Sequence, residues 1–246
     1  MRIALLSDIH GNRQALEACL AHAAGRAAER LVFLGDLVGY GADPGWVVER
    51  VAAEVGRGAL ALLGNHDEAV LAGGIAMNPA AAAAVDWTRG RLDAAALAFL
   101  RGLPLVIEEG DRLFVHADAS APDAWHYVLD ADAALRSLEA TPQRLTFCGH
   151  THLPRLFGIT AAAKLMSFQP VAGVPVPLRR PRHWIAVLGA VGQPRDGNPA
   201  ACYGIFDTES QEMSWQRVPY DVEAAAAAIR AAGLPDSLAT RLYGGR

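Results

Sequence analysis

The sequence predicts an α/β domain, and three features carry that reading. Apolar runs and helical patterns alternate through the first 63 residues. Apolar runs end repeatedly in Asp, Asn or His. Beyond residue 155 the pattern changes to short alternating runs separated by Gly and Pro. Residues 2–7 read as a buried strand and 13–24 as a helix, followed by a strand at 31–35 (LVFLG). Asp43 and Pro44 supply N-cap and first-turn chemistry for a helix running to about Val55. A third strand follows at 59–63 (ALALL). This rhythm gives βαβ units and a parallel sheet, and right-handed crossovers make all three strand ends point the same way.

Asn78-Pro79 opens a helix to about Arg89, and Asp93 caps another. The stretch LPLVIEEGDRLFVH reads as a hairpin with strands at 104–108 and 112–115 around a turn at Glu109–Asp111. LTFCGH at 145–150 is again a strand ending in polar residues. Residues 155–219 read as antiparallel strands without helices, and Asp221 caps a last, alanine-rich helix. No repeat or linker divides the chain, so residues 1–246 are expected to form a single domain.

Composition narrows the function classes. The 246 residues are 52% hydrophobic and 20% charged, enough for a large core and too little charge for a disordered chain. A net charge of −4 offers neither nucleic acid nor an anionic membrane a general attraction. The three cysteines, Cys19, Cys148 and Cys202, are far apart and odd in number, which suits buried thiols in a reducing cytoplasm rather than a disulfide framework. Asp8 interrupts the first apolar run, so no signal peptide is expected, and no apolar stretch approaches the ~20 residues of a membrane span.

Five apolar strands finish in clusters of one chemical kind: SDIHGN (Asp8, His10), LGDLVG (Asp36), LGNHDE (Asn65, His66, Asp67), FVHAD (His116) and CGHTH (His150, His152). Ligands of open α/β sheets bind beyond the carboxyl ends of the strands, so these clusters should converge. The Asp8-x-His10 spacing places both side chains on one side of a strand or its end. Five of the eight histidines fall in these motifs. Two carboxylates, four imidazoles and an amide suit two divalent ions of the Mn, Fe, Zn, Co or Ni kind sharing one carboxylate. No thiolate joins the set, which argues against a structural zinc site.

The order D-x-H, G-D, G-N-H-D, a lone His after a strand, and G-H-x-H resembles the calcineurin-like metallophosphoesterases, in particular their small bacterial and archaeal members; VGQPRDG and VPYDVEAA extend the likeness toward the C-terminus. The resemblance implies a four-layer αββα sandwich, two packed mixed sheets flanked by helices, with a dimetal site at the carboxyl ends of the strands. It implies that Asp8, His10 and His152 hold one metal, that Asn65, His116 and His150 hold the other, and that Asp36 bridges them. His66 would sit by the leaving group with Asp67 orienting or charging it, and Asn12 would touch a substrate oxygen or support a ligand. One departure from the family is Ala117-Asp118 after His116, where a glycine is usual.

The expected activity is hydrolysis of a small phosphoester or nucleotide-like substrate. A hydroxide bridging the metals would attack phosphorus, and His66 as imidazolium would protonate the leaving oxygen. With two dications against Asp8 and Asp36 the pocket would be locally about +2. Arg155, directly after the GHTH turn, is a candidate substrate contact. His22, His126 and His183 are read as non-ligands. Trp125 and Tyr127 in AWHYV are read as core packing in preference to a pocket cover, and Arg179, Arg180 and Arg182 as a solvated loop in preference to a phosphate grip. GDLVGYG lacks the arginine that the protein serine/threonine phosphatases and dinucleoside-tetraphosphate hydrolases carry after this motif, which disfavours their substrates. The alternative is a non-catalytic, metal-binding interaction scaffold of the same fold. Oligomeric state is left open.

Overall fold

The computed structural model describes residues 1–72, 75–160, 162 and 164–246. β1 (Arg2–Leu6), β2 (Arg30–Phe33) and β3 (Leu60–Ala61) pair in parallel, with Ala4 opposite Leu31 and Phe33 opposite Ala61. α1 (Arg13–Gly25) and α2 (Pro44–Val55) connect them. Asn12 caps α1 by accepting from the Ala15 N–H at 3.1 Å. Asp43 stands at the N-cap of α2 without a side-chain capping bond, so Pro44 carries that start. The strand side of β1 alternates: Ala4 and Leu6 pack under α1 and α2, and Ile3 and Leu5 face the opposite way.

Three helices follow: α3 (Asn65–Ala72), α4 (Pro79–Arg89) and α5 (Ala94–Arg101). The sequence reading gave no helix at α3, because its eight residues carry no clean apolar stripe. The hairpin β4 (Val106–Glu109) and β5 (Arg112–Val115) leads through α6 (Ala131–Glu139) to β6 (Leu145–Cys148). α6 is a further helix the sequence pattern does not predict, with Asp130 capping it through the Ala133 N–H at 2.9 Å. Then come β7 (Arg155–Ile159), β8 (Leu165–Phe168), β9 (Val176–Pro177), β10 (His183–Val187), β11 (Ala201–Asp207) and β12 (Glu212–Val218), with no helix among the described residues of this region. The last helix is two: α7 (Val222–Ala231) and α8 (Asp236–Gly244), broken where Gly233 adopts a φ of 73° before Pro235.

The strands form two six-stranded mixed sheets, ordered β3-β2-β1-β11-β12-β9 and β4-β5-β6-β10-β7-β8. In the second, β5, β6 and β10 run parallel, which the purely antiparallel expectation for residues 155–219 had missed. Ile3, Leu5, Phe114, Phe147, Phe206 and Trp215 are buried between the sheets. α1 and α2 cover the outer face of the first sheet, and α6 covers Val115, Cys148, Ile185 and Val187 on the outer face of the second. The result is the four-layer αββα sandwich. Its consequence for function is geometric: the C-terminal ends of β1, β2 and β3 in one sheet and of β5 and β6 in the other open at the same edge of the sandwich. No helix among the described residues is long and apolar enough to cross a membrane.

Candidate metal centre

β1 ends at Leu6, so Asp8 and His10 lie in the loop beyond it and do not share a face by strand alternation. Both take left-handed conformations, φ 55° and 51°, as do Asp36 (51°), His150 (65°) and His152 (59°). Such non-glycine residues cost of order 1–3 kcal/mol each and persist only where the surroundings fix them. Here backbone bonds zip the loops together: Ile9 and His10 N–H both donate to the Asp36 carbonyl at 2.9 Å, and Gly11 N–H to Leu37 at 2.9 Å. A Cβ at Gly64 would overlap the Asp36 backbone and carboxylate, so only glycine lets the β3 loop lie against that residue.

The clusters converge. Asp8, His10, Asp36 and His152 offer ligand atoms within 4.8 Å of one another, as do Asp36, His116 and His150. Asp36 belongs to both groups. Its Oδ1 accepts from the His66 backbone N–H at 2.8 Å, and its Oδ2 lies 3.6 Å from His10 Nε2 and 3.5 Å from His116 Nε2. Asp8 is divided the same way: Oδ2 accepts from His150 N–H at 3.0 Å, while Oδ1 is buried with no hydrogen-bond partner. Asn65 Oδ1 lies 3.3 Å from His116 Nε2, which places the seventh residue of the set at the second group.

The imidazoles are oriented by carbonyls. His10, His116 and His152 place Nδ1 at 3.1, 2.7 and 2.6 Å from the carbonyl oxygens of Val38, Leu34 and Gln193. A carbonyl only accepts, so Nδ1 carries the hydrogen and Nε2 points inward. His150 is reversed: its Nε2 faces the Trp125 carbonyl at 2.9 Å, leaving Nδ1 for the cluster. His10 and His152 Nε2 atoms stand 3.1 Å apart. Two lone pairs facing each other, beside an unpartnered carboxylate oxygen, form a stable interior only with a cation or proton between them. The donor set therefore fits divalent metal.

Burial and mutual charge shift both carboxylates and three of the imidazoles. Burial raises Asp8, but the facing His152 and His116 outweigh it and hold the carboxyl below its usual value. Asp36 is held well below for the same reason: burial is outweighed by His116, His66 and His10. Burial lowers His116, but the Asp36 charge and hydrogen bond outweigh it and raise the imidazole to about 9. Burial pushes His10 well down and His150 to about 3.

His66, Asp67, Asn12 and Arg155 do not all lie where the sequence predicts. His66 is buried against His10 (ring centroids 4.8 Å) and Tyr40 (4.5 Å), and its Nδ1 has no partner. Burial pushes it down to about 4, so it is a neutral imidazole rather than an imidazolium at pH 7. Asp67 does not orient it: the carboxylate accepts from Val38 N–H at 3.1 Å and Gly64 N–H at 3.0 Å, stapling the β2 and β3 loops. Burial and neighbouring Asp36 raise Asp67 to about 7. Asn12 spends its amide on Ala15, the Gly192 carbonyl at 2.8 Å and the Tyr220 hydroxyl at 3.3 Å, and so supports the loop rather than a substrate. Arg155 donates to the Leu129 carbonyl at 3.4 Å and reaches no ligand of the cluster.

The segment AWHYV corrects the core-packing expectation. Tyr127 is 49% exposed and lies flat on His150, with centroids 4.1 Å apart and planes at 10°. Trp125 meets His116 edge-on at 5.7 Å and is anchored by its Nε1 donating to Glu68 at 2.7 Å. Both aromatics wall the second group, because loop 117–130 folds back over it. The basic loop is spent elsewhere: Arg180 pairs with Asp111 at 3.2 Å, and Arg182 lies over Trp184 at 5.8 Å.

The sequence model of the calcineurin-like phosphoesterase superfamily domain matches residues 1–211. The chain belongs to this superfamily. An uncharacterized protein of Methanocaldococcus jannaschii is 34% identical over 99% of the chain and 98% of its own length. A metallophosphoesterase structure from Sphaerobacter thermophilus superposes with a TM-score of 0.88 at 38% identity, covering 100% of this chain and 99% of the other. A hypothetical protein of Pyrococcus horikoshii OT3 shares the fold, with a TM-score of 0.82 at 18% identity over 100% and 98% of the two chains. Calcineurin-like membership places the strand-end cluster among proteins built around paired metals.

Proposed function

We propose that the protein is a hydrolase of small phosphoesters that depends on two divalent transition ions. The observation that carries this reading is the pair of buried ligand groups sharing Asp36 Oδ2. Asp8, His10, His152 and Asp36 would hold one ion, and Asn65, His116, His150 and Asp36 the other, with His150 serving through Nδ1. Bound ions would supply Lewis acidity toward the phosphoryl oxygens and acidify water.

The chain's own groups do the rest. The carbonyls behind His10, His116 and His152 fix the rings, so no reorganisation is spent when ligand charge develops. His66 sits beside the first group, its ring against His10 and Tyr40, and its imidazole would assist proton transfer to the departing oxygen. Trp125 and Tyr127 form one wall of the cleft and present an aromatic surface to an organic substituent of the ester.

The test is turnover of aryl phosphomonoesters and phosphodiesters by full-length protein loaded with manganese, with metal content measured on the same sample. Chelated protein that hydrolyses as fast as loaded protein overturns the reading. Inertness across metals and esters, with two ions bound, supports a scaffold instead.

A further inference from the structure

The segment between β10 and β11 brings a cation, Arg195, to the loop that carries His152. Arg195 donates its backbone N–H to the His152 carbonyl at 3.4 Å. Its Nη2 donates to the Tyr40 hydroxyl at 3.3 Å and to Gln193 Oε1 at 3.1 Å. Arg241, from α8, donates Nη1 to the same Gln193 oxygen at 3.1 Å. The Nε of each guanidinium is buried without a partner. Among the described residues neither forms an ion pair; Asp196, the adjacent acid, pairs with Arg217 through Oδ2, and its buried Oδ1 bonds to neither guanidinium.

Two like charges thus share one neutral amide oxygen, in a chain with 26 acids and a net charge of −4. Partial burial and mutual repulsion disfavour that arrangement unless an anion completes it; together they also hold Arg241 below its ordinary value. The pair stands at the rim of the metal centre. Tyr40, whose ring centroid lies 5.7 Å from the Arg195 guanidinium carbon, also packs against His10 at 4.6 Å and His66 at 4.5 Å.

We propose that Arg195 and Arg241 form a subsite for a second phosphate group of the substrate, carried on the portion that leaves past His66. Two unneutralised guanidiniums match a phosphate dianion in charge and offer several fixed donors, whereas one carboxylate would satisfy a single arginine. The proposal rests on the phosphoesterase reading and narrows its substrate class to bisphosphorylated esters. α8 lies beyond the residues matched by the superfamily model, so the C-terminal hairpin contributes substrate selection to a centre built by the rest of the chain.

The experiment compares manganese-loaded full-length protein acting on alkanediol bisphosphates of increasing spacer length with the alkyl monophosphates of the same length. At the best spacer the wild-type preference in kcat/KM for the bisphosphate is expected to reach about 30-fold, the scale of charge-assisted hydrogen bonds. Arg195→Gln and Arg241→Gln should each cut that preference about tenfold, chiefly through KM, with Arg195→Lys retaining part of it. A merely structural role would change both substrates alike and leave the ratio intact. A wild-type preference below about threefold at every spacer, or one that survives both variants, overturns the proposal. Calorimetric binding of the same bisphosphates to loaded wild-type, Arg195→Gln and Arg195→Lys proteins reads the subsite without turnover. Bisphosphate binding that depends on Arg195 in a protein that hydrolyses nothing would sink the phosphoesterase reading and keep the subsite; hydrolysis with no such dependence would do the reverse.

Discussion

Asp36→Asn separates the shared ligand from the fold that holds it. The amide is isosteric, and its oxygen can still accept the His66 backbone N–H now bonded to Oδ1 at 2.8 Å. The other limb, 3.6 Å from His10 Nε2 and 3.5 Å from His116 Nε2, becomes an NH2 donor pointed at the ions' place. An amide nitrogen is no metal ligand, so both groups lose their common member at once. A site filled at a thousandfold its Kd stabilises the folded chain by about 4 kcal/mol. In a chain of this size each kcal/mol moves Tm by about 2–4 °C, so each filled site should raise Tm by about 8–16 °C. Metal analysis and thermal unfolding, with and without chelator, should show two ions and a large metal-dependent increment in wild-type protein. Asp36→Asn should bind at most one ion and lose at least half of the increment. Two ions and an undiminished increment in the variant would refute the shared-ligand geometry.

Other outcomes follow from single contacts. His66→Gln should keep both metals and lose about 10²–10⁴ in turnover, as expected of a group that assists proton transfer; loss of metal equal to that of His10→Ala would show it to be a ligand. The same variant tests the acid response of chelated protein. Burial holds His66 near 4, below the ~6.5 of an unfolded histidine, so the unfolded chain binds more protons as pH falls below that value, and stability present above it is lost. Between pH 7.5 and 5.0 this contributes about 2 kcal/mol of destabilisation to wild type, which denaturant unfolding should find missing in His66→Gln. Asp67→Asn should leave one of the Val38 and Gly64 N–H groups facing another donor, costing about 1–3 kcal/mol of stability by the same measurement, with His66 orientation unaffected. Tyr127→Ala removes the ring stacked on His150 and should weaken the second metal by about three- to tenfold in a manganese titration. An affinity equal to wild type would show the stack to be idle.

The convergence of the candidate ligands was legible because metal chemistry restricts residue type and strand ends restrict position. Asp8, His10, Asp36, Asn65, His116, His150 and His152 each close an apolar run or its turn, and the parallel strands before them all open at one edge. What the text of the chain misassigned were residues whose partners lie far away in sequence. Asp67 adjoins His66, yet its carboxylate faces the backbone of the β2 loop, because α3 begins at Asn65 and turns the two side chains apart. Asn12, read as a substrate contact or a support for a ligand, caps α1 and braces the loop behind His10. Tyr127 and Trp125 have the composition of core residues, and only the return of loop 117–130 over His150 makes them a wall.

The sequence by itself determined the βαβ order of the first 63 residues and the convergence of acids and imidazoles at strand ends, because periodicity and strand-end position are local properties. The tertiary structure alone decided which carboxylate oxygen faces the centre, that His150 turns its Nδ1 inward while the other rings turn Nε2, and that Arg195 and Arg241 meet over one glutamine from segments 46 residues apart. Those choices depend on left-handed backbone at five of the clustered positions and on carbonyls supplied by distant loops. Hydrogen-bond partners of that kind are fixed by packing across the chain, and no short stretch of sequence encodes them.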